Sequence, residues 1–164
     1  MRTFDLAVLG GGPGGYVAAI RASQVGQKVC IIDKDKLGGV CLNWGCIPTK
    51  SLLKNAEVYH TVKKSDIYGI NVGKITVDHK KSIKRSRDVA NRLSKGIEFL
   101  IKKNKITHIA GTGKLISNNT IEIVKDGQTE TIKVKIIILA TGARPQSFPG
   151  LEYDGKRILS LKEA

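Results

Sequence analysis

A glycine-rich turn between an apolar run and a helical pattern constrains the fold of this chain more than any other feature. The run Phe4–Leu9 predicts a short buried strand, and residues 13–25 then show helical apolar spacing closed by Gly26. Residues 28–33 predict a second apolar strand. A G-x-G-x-x-G pattern between the first strand and the helix is formed by Gly10, Gly12 and Gly15. Strands buried on both faces and joined by a helix predict a parallel βαβ unit and an α/β fold.

Each part of this glycine turn suits the binding of a dinucleotide. The first glycine permits a tight turn, the second lets the backbone approach a pyrophosphate, and the third lets the helix pack on the sheet. The helix N-terminus presents unpaired N–H groups and about half a positive charge to the phosphates. Asp33 lies 21 residues after Gly12, where a carboxylate accepts hydrogen bonds from a ribose. A glycine turn without a ligand is the alternative, and the strand–turn–helix–strand context disfavours it.

Two cysteines separated by four residues, Cys41 and Cys46, mark a second candidate site. Half of a zinc site is one interpretation, but structural zinc takes four ligands, and only Cys30 and scattered histidines remain to supply the others. Chance spacing is a second interpretation, and a redox-active pair is a third. Residues five apart on a regular helix point in different directions, so a disulfide would need an irregular helix start, which Gly45 and Pro48 provide.

The helix predicted to follow these cysteines, through about His60, carries further candidates. Placing Cys46 at the N-terminus of this helix would favour its thiolate form. Lys50 lies four residues later on the same helix face, where a cation can pair with the thiolate or with an electron-rich cofactor. An ordinary surface lysine is the alternative for Lys50. Cys30 lies inside an apolar strand and is predicted to be inert packing.

The second half of the chain predicts short strands. They cover residues 106–110, 115–116, 121–124 and 131–134. Asn118-Asn119 and Asp126-Gly127 supply turns between some of them. A separate, fully apolar strand is predicted over residues 135–140 and ends at Thr141-Gly142, where the glycine permits a close backbone approach. A plain strand end is the alternative for this last motif.

The net charge of +14 bears on the possible partners. A basic amphipathic helix is predicted over residues 77–103, and its buried face is predicted to hold Ile83, Leu93, Ile97, Leu100 and Ile101. Aromatic residues make up only 5% of the chain, so platforms for base stacking are scarce and nucleic-acid binding is disfavoured. No apolar run approaches the ~18 residues that a membrane span needs. With three cysteines and no signal-peptide pattern, we expect a cytoplasmic protein.

The segment 38–50, with the pattern CLNWGCIPTK from Cys41 onward, resembles the redox-active segment of the flavin-dependent pyridine nucleotide–disulfide oxidoreductases. Within that family it is most similar to the dihydrolipoamide dehydrogenases, because glutathione and mercuric reductases more usually carry valine where Leu42 stands. The resemblance covers the whole chain, because four motifs occur in the same order as in this family. They are the glycine turn, the cysteine helix, the glycine motif at residues 111–113 and the strand end at residues 140–142. Asp33 stands at a position where other members of this family frequently carry glutamate. The shorter aspartate side chain extends less far toward a ribose.

This resemblance implies a Rossmann-like FAD-binding domain with a central parallel sheet, flanking helices and a small antiparallel β-meander. Cys41 and Cys46 would form a redox-active disulfide beside the flavin, with Cys46 nearer the ring and Cys41 as the interchange thiol. Lys50 would lie at the reactive end of the flavin. The implied FAD contacts are Gly10, Gly12, Pro13, Gly14, Gly15, Asp33, Lys34, Gly39, Val40, Cys41, Lys50, Gly113, Thr141, Gly142 and Ala143.

The implied reaction is the oxidation of protein-bound dihydrolipoamide, with electrons passing through the disulfide and FAD to NAD+. The implied partners are a second copy in a homodimer and a lipoyl-bearing domain of a 2-oxoacid dehydrogenase or glycine-cleavage complex, with no nucleic acid, membrane or metal. A related enzyme, similar to glutathione or mercuric reductase, is one alternative. A stand-alone flavin- or nucleotide-binding module is another.

The family pattern also predicts how this stretch of chain divides. Residues 1–150 would be the first segment of the FAD-binding domain, and residues 151–164 would be a linker or the start of the nicotinamide domain. That family's NAD-binding domain, and the dimer domain with its His–Glu acid–base pair, have no counterpart in these residues. The three histidines, His60, His79 and His108, match no family position for that base. We therefore expect the 164-residue chain alone to be inactive in NAD-dependent turnover.

Overall fold

Six strands within residues 1–163, the part of the chain that this computed structural model describes, form one mixed sheet. They are β1 (Arg2–Leu9), β2 (Val29–Asp33), β3 (Thr107–Ala110), β4 (Thr112–Ser117), β5 (Thr120–Lys125) and β6 (Gln128–Leu139). Their order across the sheet is β3-β2-β1-β6-β5-β4. β1 pairs in parallel with β2 and β6, and β2 pairs in parallel with β3, whereas β4, β5 and the first half of β6 form an antiparallel meander. The predicted Rossmann-like fold with a small meander is confirmed.

The helices flank this sheet. They are α1 (Pro13–Gln24), α2 (Gly39–Asn43), α3 (Cys46–Lys63) and α4 (His79–Lys103), with a short 3-10 turn at Ser65–Tyr68. α1 begins with Pro13, which has no N–H group to leave unpaired, and ends before Gly26, whose φ of +87° is left-handed. α4 begins after Asp78, whose carboxylate accepts a hydrogen bond from the Lys81 N–H at 3.0 Å.

Alternating side chains of the parallel strands build two apolar layers, one on each face of the sheet. Leu6, Val8 and Ile31 pack under α1 and the end of α4, where Ala19 and Ile101 meet them. On the opposite face the strand residues pack against the meander, and that cluster contains Ala7, Leu9, Cys30, Ile32, Ile121, Ile123 and Ile132. Both faces of β1 and β2 are therefore covered, as the unbroken apolar runs in their sequence predict.

One strand replaces the two that were predicted at 131–134 and 135–140. β6 runs without a break through Val134, pairing with β5 as far as Lys133 and with β1 from Ile132 to Leu139. The strand exchanges an antiparallel partner for a parallel one and needs no turn to do so. The two predicted strands were wrong because the apolar pattern of a strand reflects which of its side chains are buried. In β6 that burial changes where the strand exchanges β5 for β1 as its partner, and no strand ends there.

The buried face of α4 also differs from the prediction. Leu93 and Leu100 are 41% and 37% exposed, and the fully buried positions are Ile101 and three small residues. These small residues are Ser86, Ala90 and Ser94. Small side chains let α4 approach α3 and the loop before α2 closely, so the larger leucines lie at the rim of this contact.

The carboxyl ends of the parallel strands meet at one edge of the sheet. Gly10 donates its N–H to the Ile32 carbonyl at 2.8 Å, Gly111 donates to the Asp33 carbonyl at 2.9 Å, and Ala140 donates to the Leu9 carbonyl at 2.8 Å. The strand order reverses beside β1, because β2 lies on one side of it and β6 on the other. In open α/β sheets ligands bind at such a switch point.

The stretch after residue 150 consists of turns. Leu151 forms an isolated bridge with Phe148, and the Asp154 carboxylate accepts hydrogen bonds from the N–H groups of Lys156, Arg157 and Ile158, which lowers the pKa of that carboxyl. The predicted division at residue 150 stays a prediction, and Ala164 lies outside the described residues.

Candidate dinucleotide and dithiol site

Steric contacts explain two of the three glycines in the G-x-G-x-x-G turn. A Cβ on Gly10 would lie 2.1 Å from the Ala140 carbonyl oxygen, and the φ of +106° at Gly10 is left-handed. A Cβ on Gly15 would lie 1.8 Å from the carbonyl oxygen of Gly10. The first glycine therefore makes the turn against the end of β6, and the third lets α1 pack on the strand, as the sequence predicted.

Gly12 and Gly14 leave the outer side of the turn open. A Cβ on Gly14 would meet no atom within 4 Å, and one on Gly12 would meet only the Gly39 Cα at 3.8 Å. Gly12 is the N-cap residue of α1 and provides no side-chain capping hydrogen bond. The first amides of α1 thus have no helical partner and lie beside space that a side chain would otherwise fill. This arrangement fits an anionic group at the N-terminus of α1.

Asp33, at the end of β2, ties the glycine turn to the second strand. Its Oδ2 accepts a hydrogen bond from the Gly11 N–H at 2.5 Å, and its Oδ1 accepts one from the Asp35 N–H at 2.8 Å. A carboxylate has about four acceptor positions, so Asp33 keeps capacity for a further donor such as a ribose hydroxyl. The turn-holding role was not predicted from the sequence.

The cysteine segment, residues 38–50, starts against the same turn. The Gly38 N–H donates to the Gly11 carbonyl at 2.8 Å. Gly39 lies so close that a Cβ on it would be 2.6 Å from the Cα of Gly12. Val40 follows and is exposed. The structure therefore brings the predicted phosphate-binding turn and the predicted redox segment into backbone contact.

The two cysteines lie at the junction of two helices. Cys41 is in α2, Cys46 is the first residue of α3, and Gly45 between them has a non-helical φ of −116° and ψ of −107°. The irregular helix start that the sequence predicted is confirmed. Cys46 and Lys50 are exposed, and Cys41 is half-buried.

Both cysteines are free thiols in this structure, and the two groups interact. A hydrogen bond between them, together with burial, raises the pKa of Cys41, and the charge of Lys50 acts in the opposite direction. The predicted Cys41–Cys46 disulfide is therefore not formed here, although the two thiols are neighbours. Cys30 behaves differently: it is fully buried in the sheet, and burial raises its pKa to about 12. Its predicted role as inert packing is confirmed.

Sequence reasoning missed two residues that hold the cysteine segment. The Asn43 side chain is buried and donates to carbonyl oxygens before and within α2. Ser94, on α4, donates its hydroxyl to the Leu37 carbonyl at 2.7 Å. Asn43 carried a signal, because it is polar and stands between two cysteines in an otherwise apolar stretch. Ser94 carried none.

Other predicted cofactor residues are distributed more widely. Lys34 is exposed directly after Asp33, and Thr141, Gly142 and Ala143 are exposed after the end of β6. Gly113 lies in β4, where a Cβ would be 3.2 Å from Leu9 Cδ2 and 3.3 Å from Ile32 Cγ2. Packing of the meander on the sheet thus accounts for that glycine. Its contact with a cofactor stays a prediction.

Among residues 1–163, no helix is both long enough and apolar enough to cross a membrane. Within the same residues, no group of three or more His, Cys, Asp or Glu side chains is placed to hold a metal ion.

A glycine turn in contact with a paired-cysteine helix is the arrangement that the sequence predicts for a disulfide oxidoreductase. A family model described as pyridine nucleotide-disulphide oxidoreductase matches residues 4–164, and the chain belongs to this family.

The chain is also similar to individual proteins of known name. The chain is 49% identical over 162 residues to a dihydrolipoyl dehydrogenase of Zymomonas mobilis, covering 98% of this chain and 35% of that protein. It is 47% identical over 162 residues to the dihydrolipoyl dehydrogenase of Chlorobaculum parvum, with 98% and 34% covered. Identity to the mitochondrial dihydrolipoyl dehydrogenase 1 of Arabidopsis thaliana is 46% over 159 residues, with 95% and 31% covered. The chain therefore spans about a third of the length of these relatives.

Proposed function

We propose that this chain is the FAD-binding portion of a dihydrolipoyl dehydrogenase that oxidises protein-bound dihydrolipoamide. The observation that supports this most is the backbone contact between Gly12 in the phosphate-binding turn and Gly39 at the start of the cysteine segment. That contact puts the glycine turn and the cysteine pair on the same edge of the sheet, as a nucleotide site beside a dithiol requires. The relatives matched over nearly the whole chain are dihydrolipoyl dehydrogenases.

The residues of this edge fit FAD. The uncapped amides at the start of α1 would bind the pyrophosphate, and the free acceptor positions of Asp33 would bind the adenosine ribose. The exposed residues Thr141 to Ala143, beside the turn, would contact the remainder of the cofactor. When bound, FAD supplies a two-electron acceptor that connects thiol chemistry to hydride transfer to NAD+.

The chain's own part in the chemistry is thiol–disulfide exchange. In the oxidised pair, a substrate thiolate attacks the Sγ of Cys41, the Cys41–Cys46 bond breaks, and Cys46 leaves as a thiolate. The second substrate thiol then attacks the substrate sulfur of the mixed disulfide, which releases oxidised lipoamide, and its proton passes to the departing Cys41 thiolate. The positive charge of Lys50 acts to lower the pKa of Cys41, against the hydrogen bond and burial that raise it, and so favours the Cys41 thiolate. Two electrons have moved from the substrate to the two cysteines.

The partners of this reaction follow from the same proposal. They are NAD+, a lipoyl-bearing domain of a 2-oxoacid dehydrogenase or glycine-cleavage complex, and a second copy of the protein. Because the chain spans a third of its relatives, we propose that it does not turn over NADH and lipoamide alone. A related reductase for another disulfide, or a flavin-binding module without thiol chemistry, is the competing function.

A visible absorption spectrum of the purified chain tests the proposal. After incubation with FAD and desalting, we expect a flavin spectrum, and addition of dihydrolipoamide should bleach it. Cys41→Ser should bind flavin equally and lose the bleaching, whereas Cys30→Ala, a change at the buried thiol, should retain it. Bleaching that is equally fast in Cys41→Ser would favour the binding module. Retained flavin that glutathione bleaches and dihydrolipoamide does not would favour a different reductase.

A further inference from the structure

We propose that Asn43 and Ser94 are positioning residues that set the equilibrium between the dithiol and disulfide forms of Cys41 and Cys46. The inference rests on the proposed function, because it requires this cysteine pair to be redox active. Neither residue touches the sulfur atoms by any contact seen in residues 1–163. Both instead hold the backbone that carries Cys41.

Asn43 lies between the two cysteines and anchors the loop before α2. Its side chain is 7% exposed, and its Nδ2 lies 3.0 Å from the Gly39 carbonyl oxygen and 3.2 Å from the Leu37 carbonyl oxygen. A longer contact of 3.4 Å reaches the Lys36 carbonyl. One side-chain amide thus connects the end of α2 to the three residues that precede and begin it.

Ser94 reaches the same loop from a different part of the chain. It is 3% exposed on α4, and its hydroxyl donates to the Leu37 carbonyl at 2.7 Å. The Leu37 oxygen therefore accepts from both Asn43 and Ser94, and its two lone pairs are used. Leu37 itself is 1% exposed, so losing either donor would leave a buried acceptor less satisfied.

This support matters because α2 has little stability of its own. It is five residues long, its N-cap residue Gly38 has no side-chain cap, and the φ values of Gly38 and Gly39 are both positive. A helix of this length does not persist in water without tertiary contacts. α2 stays in place because the side chain of Asn43, its last residue, and the Ser94 hydroxyl on α4 hold the backbone at its start.

α4 holds the other cysteine as well, by a separate contact. The Nη1 of Arg85 lies 2.7 Å from the Ser51 Oγ, which is on α3, the helix that begins with Cys46. One long helix therefore fixes α2 through Ser94 and α3 through Arg85. A disulfide forms only when the two Cβ atoms approach within narrow limits. Loosening α2 lowers the local concentration of one thiol near the other, so the disulfide becomes easier to reduce.

Equilibration of the 164-residue chain with glutathione redox buffers measures this directly. Reduction of one Cys41–Cys46 bond consumes two glutathione thiols and yields one glutathione disulfide, so the equilibrium constant follows from the fraction of alkylatable thiols. We expect Ser94→Ala and Asn43→Ala each to lower the constant for disulfide formation about tenfold, equivalent to a rise of about 30 mV in the two-electron potential. Fluorescence of Trp44, the single tryptophan, gives a second readout beside the pair.

Ser86→Ala is the matched control. Ser86 is also a buried serine on α4, but its hydroxyl donates to the Ile83 carbonyl of the same helix and does not reach the loop. A merely structural role would make both serine variants less stable to urea and leave both potentials unchanged. Positioning instead predicts a changed potential for Ser94→Ala and an unchanged one for Ser86→Ala.

The outcomes separate this inference from the function on which it rests. A parent chain that forms no Cys41–Cys46 disulfide in any buffer overturns the proposed function and this inference together. A parent disulfide whose potential is the same in all variants overturns the inference and leaves the function standing. Should Asn43→Ala fail to fold, Ser94→Ala alone decides. Where both fold, a double variant whose effect is less than the product of the single effects supports action through one shared carbonyl.

Discussion

The glycine turn and the cysteine segment lie side by side at one sheet edge, yet they are held in place by different means. Residues 10–15 take their shape from close backbone contacts, as at Gly10 against Ala140 and Gly15 against Gly10. Residues 38–50 are held by side-chain hydrogen bonds from Asn43 and Ser94. Missing Cβ atoms shape most of the first region, with one tie from the Asp33 carboxylate to the Gly11 N–H. In the second region, side-chain hydrogen bonds add to the backbone contacts that Gly38 and Gly39 make with the turn.

This difference suits what each region is proposed to do. A site for a pyrophosphate needs rigid amides and room for the ligand, and missing Cβ atoms provide both. A dithiol must change its bonding during each cycle, and side-chain hydrogen bonds such as those of Asn43 and Ser94 can tolerate that change. Substitutions should therefore have sharply different costs in the two regions.

The largest effect should come from Gly15→Ala. Its Cβ would lie 1.8 Å from the Gly10 carbonyl oxygen and 3.3 Å from Val8 Cγ1, so α1 could not stay on β1. We expect a loss of at least about 3 kcal/mol in the free energy of unfolding, measured in urea. Gly14→Ala is the control, since its Cβ meets nothing within 4 Å and should change stability by less than about 1 kcal/mol. If the two variants unfolded at the same urea concentration, the close contact between Gly15 and the Gly10 carbonyl would not be what fixes the turn.

An intermediate effect is expected for Asp33→Ala, which removes the carboxylate that ties the turn to β2. The N–H groups of Gly11 and Asp35 would lose their acceptor, at a cost of about 1–3 kcal/mol in urea unfolding. FAD affinity measured by fluorescence quenching should fall as well. The exposed neighbour offers the control Asp35→Ala, expected within about 0.5 kcal/mol of the parent. If Asp33→Ala binds FAD as the parent does, the carboxylate has no role at the ribose.

The smallest effect should come from Glu130→Gln, far from both regions. Arg2 donates to Glu130 through Nε at 2.6 Å and Nη2 at 2.5 Å, and this hydrogen bonding lowers the pKa of Glu130. A lowered pKa stabilises the fold above the unfolded value of 4.5, and the contribution is lost as the pH falls through the folded pKa. The pair is about half exposed, so the loss at neutral pH should be under about 1 kcal/mol.

Urea unfolding at several pH values checks this prediction. The difference between parent and Glu130→Gln should shrink progressively below pH 4.5. The variant should bind FAD and equilibrate with glutathione as the parent does, because the pair lies at the opposite end of β1 from the glycine turn. A difference that persists unchanged in acid would show that the ion pair is not its source.

The spacing of residues in the sequence correctly predicted the strands and helices of the first half of the chain. It also indicated both parts of the candidate site, the glycine turn and the cysteine segment. The glycine pattern placed β1, α1 and β2, and Gly45 with Pro48 correctly indicated an irregular start for the helix at Cys46. The same reasoning failed for β6, a single strand whose apolar pattern changes where its partner changes from β5 to β1. It also failed for Leu93 and Leu100, because amphipathic spacing identifies a helix face and does not identify what packs on it.

Taken by itself, the sequence determined which residues are candidates for the proposed chemistry, since glycines, an acidic strand end and a spaced cysteine pair are local patterns with local causes. Tertiary structure alone decided that Gly12 meets Gly39, that Asp33 holds Gly11, and that Ser94 reaches the Leu37 carbonyl. These contacts join residues from 22 to 57 positions apart in the chain. No periodicity spans such separations, because only the packing of α4 and the return of β2 beside β1 bring those atoms together.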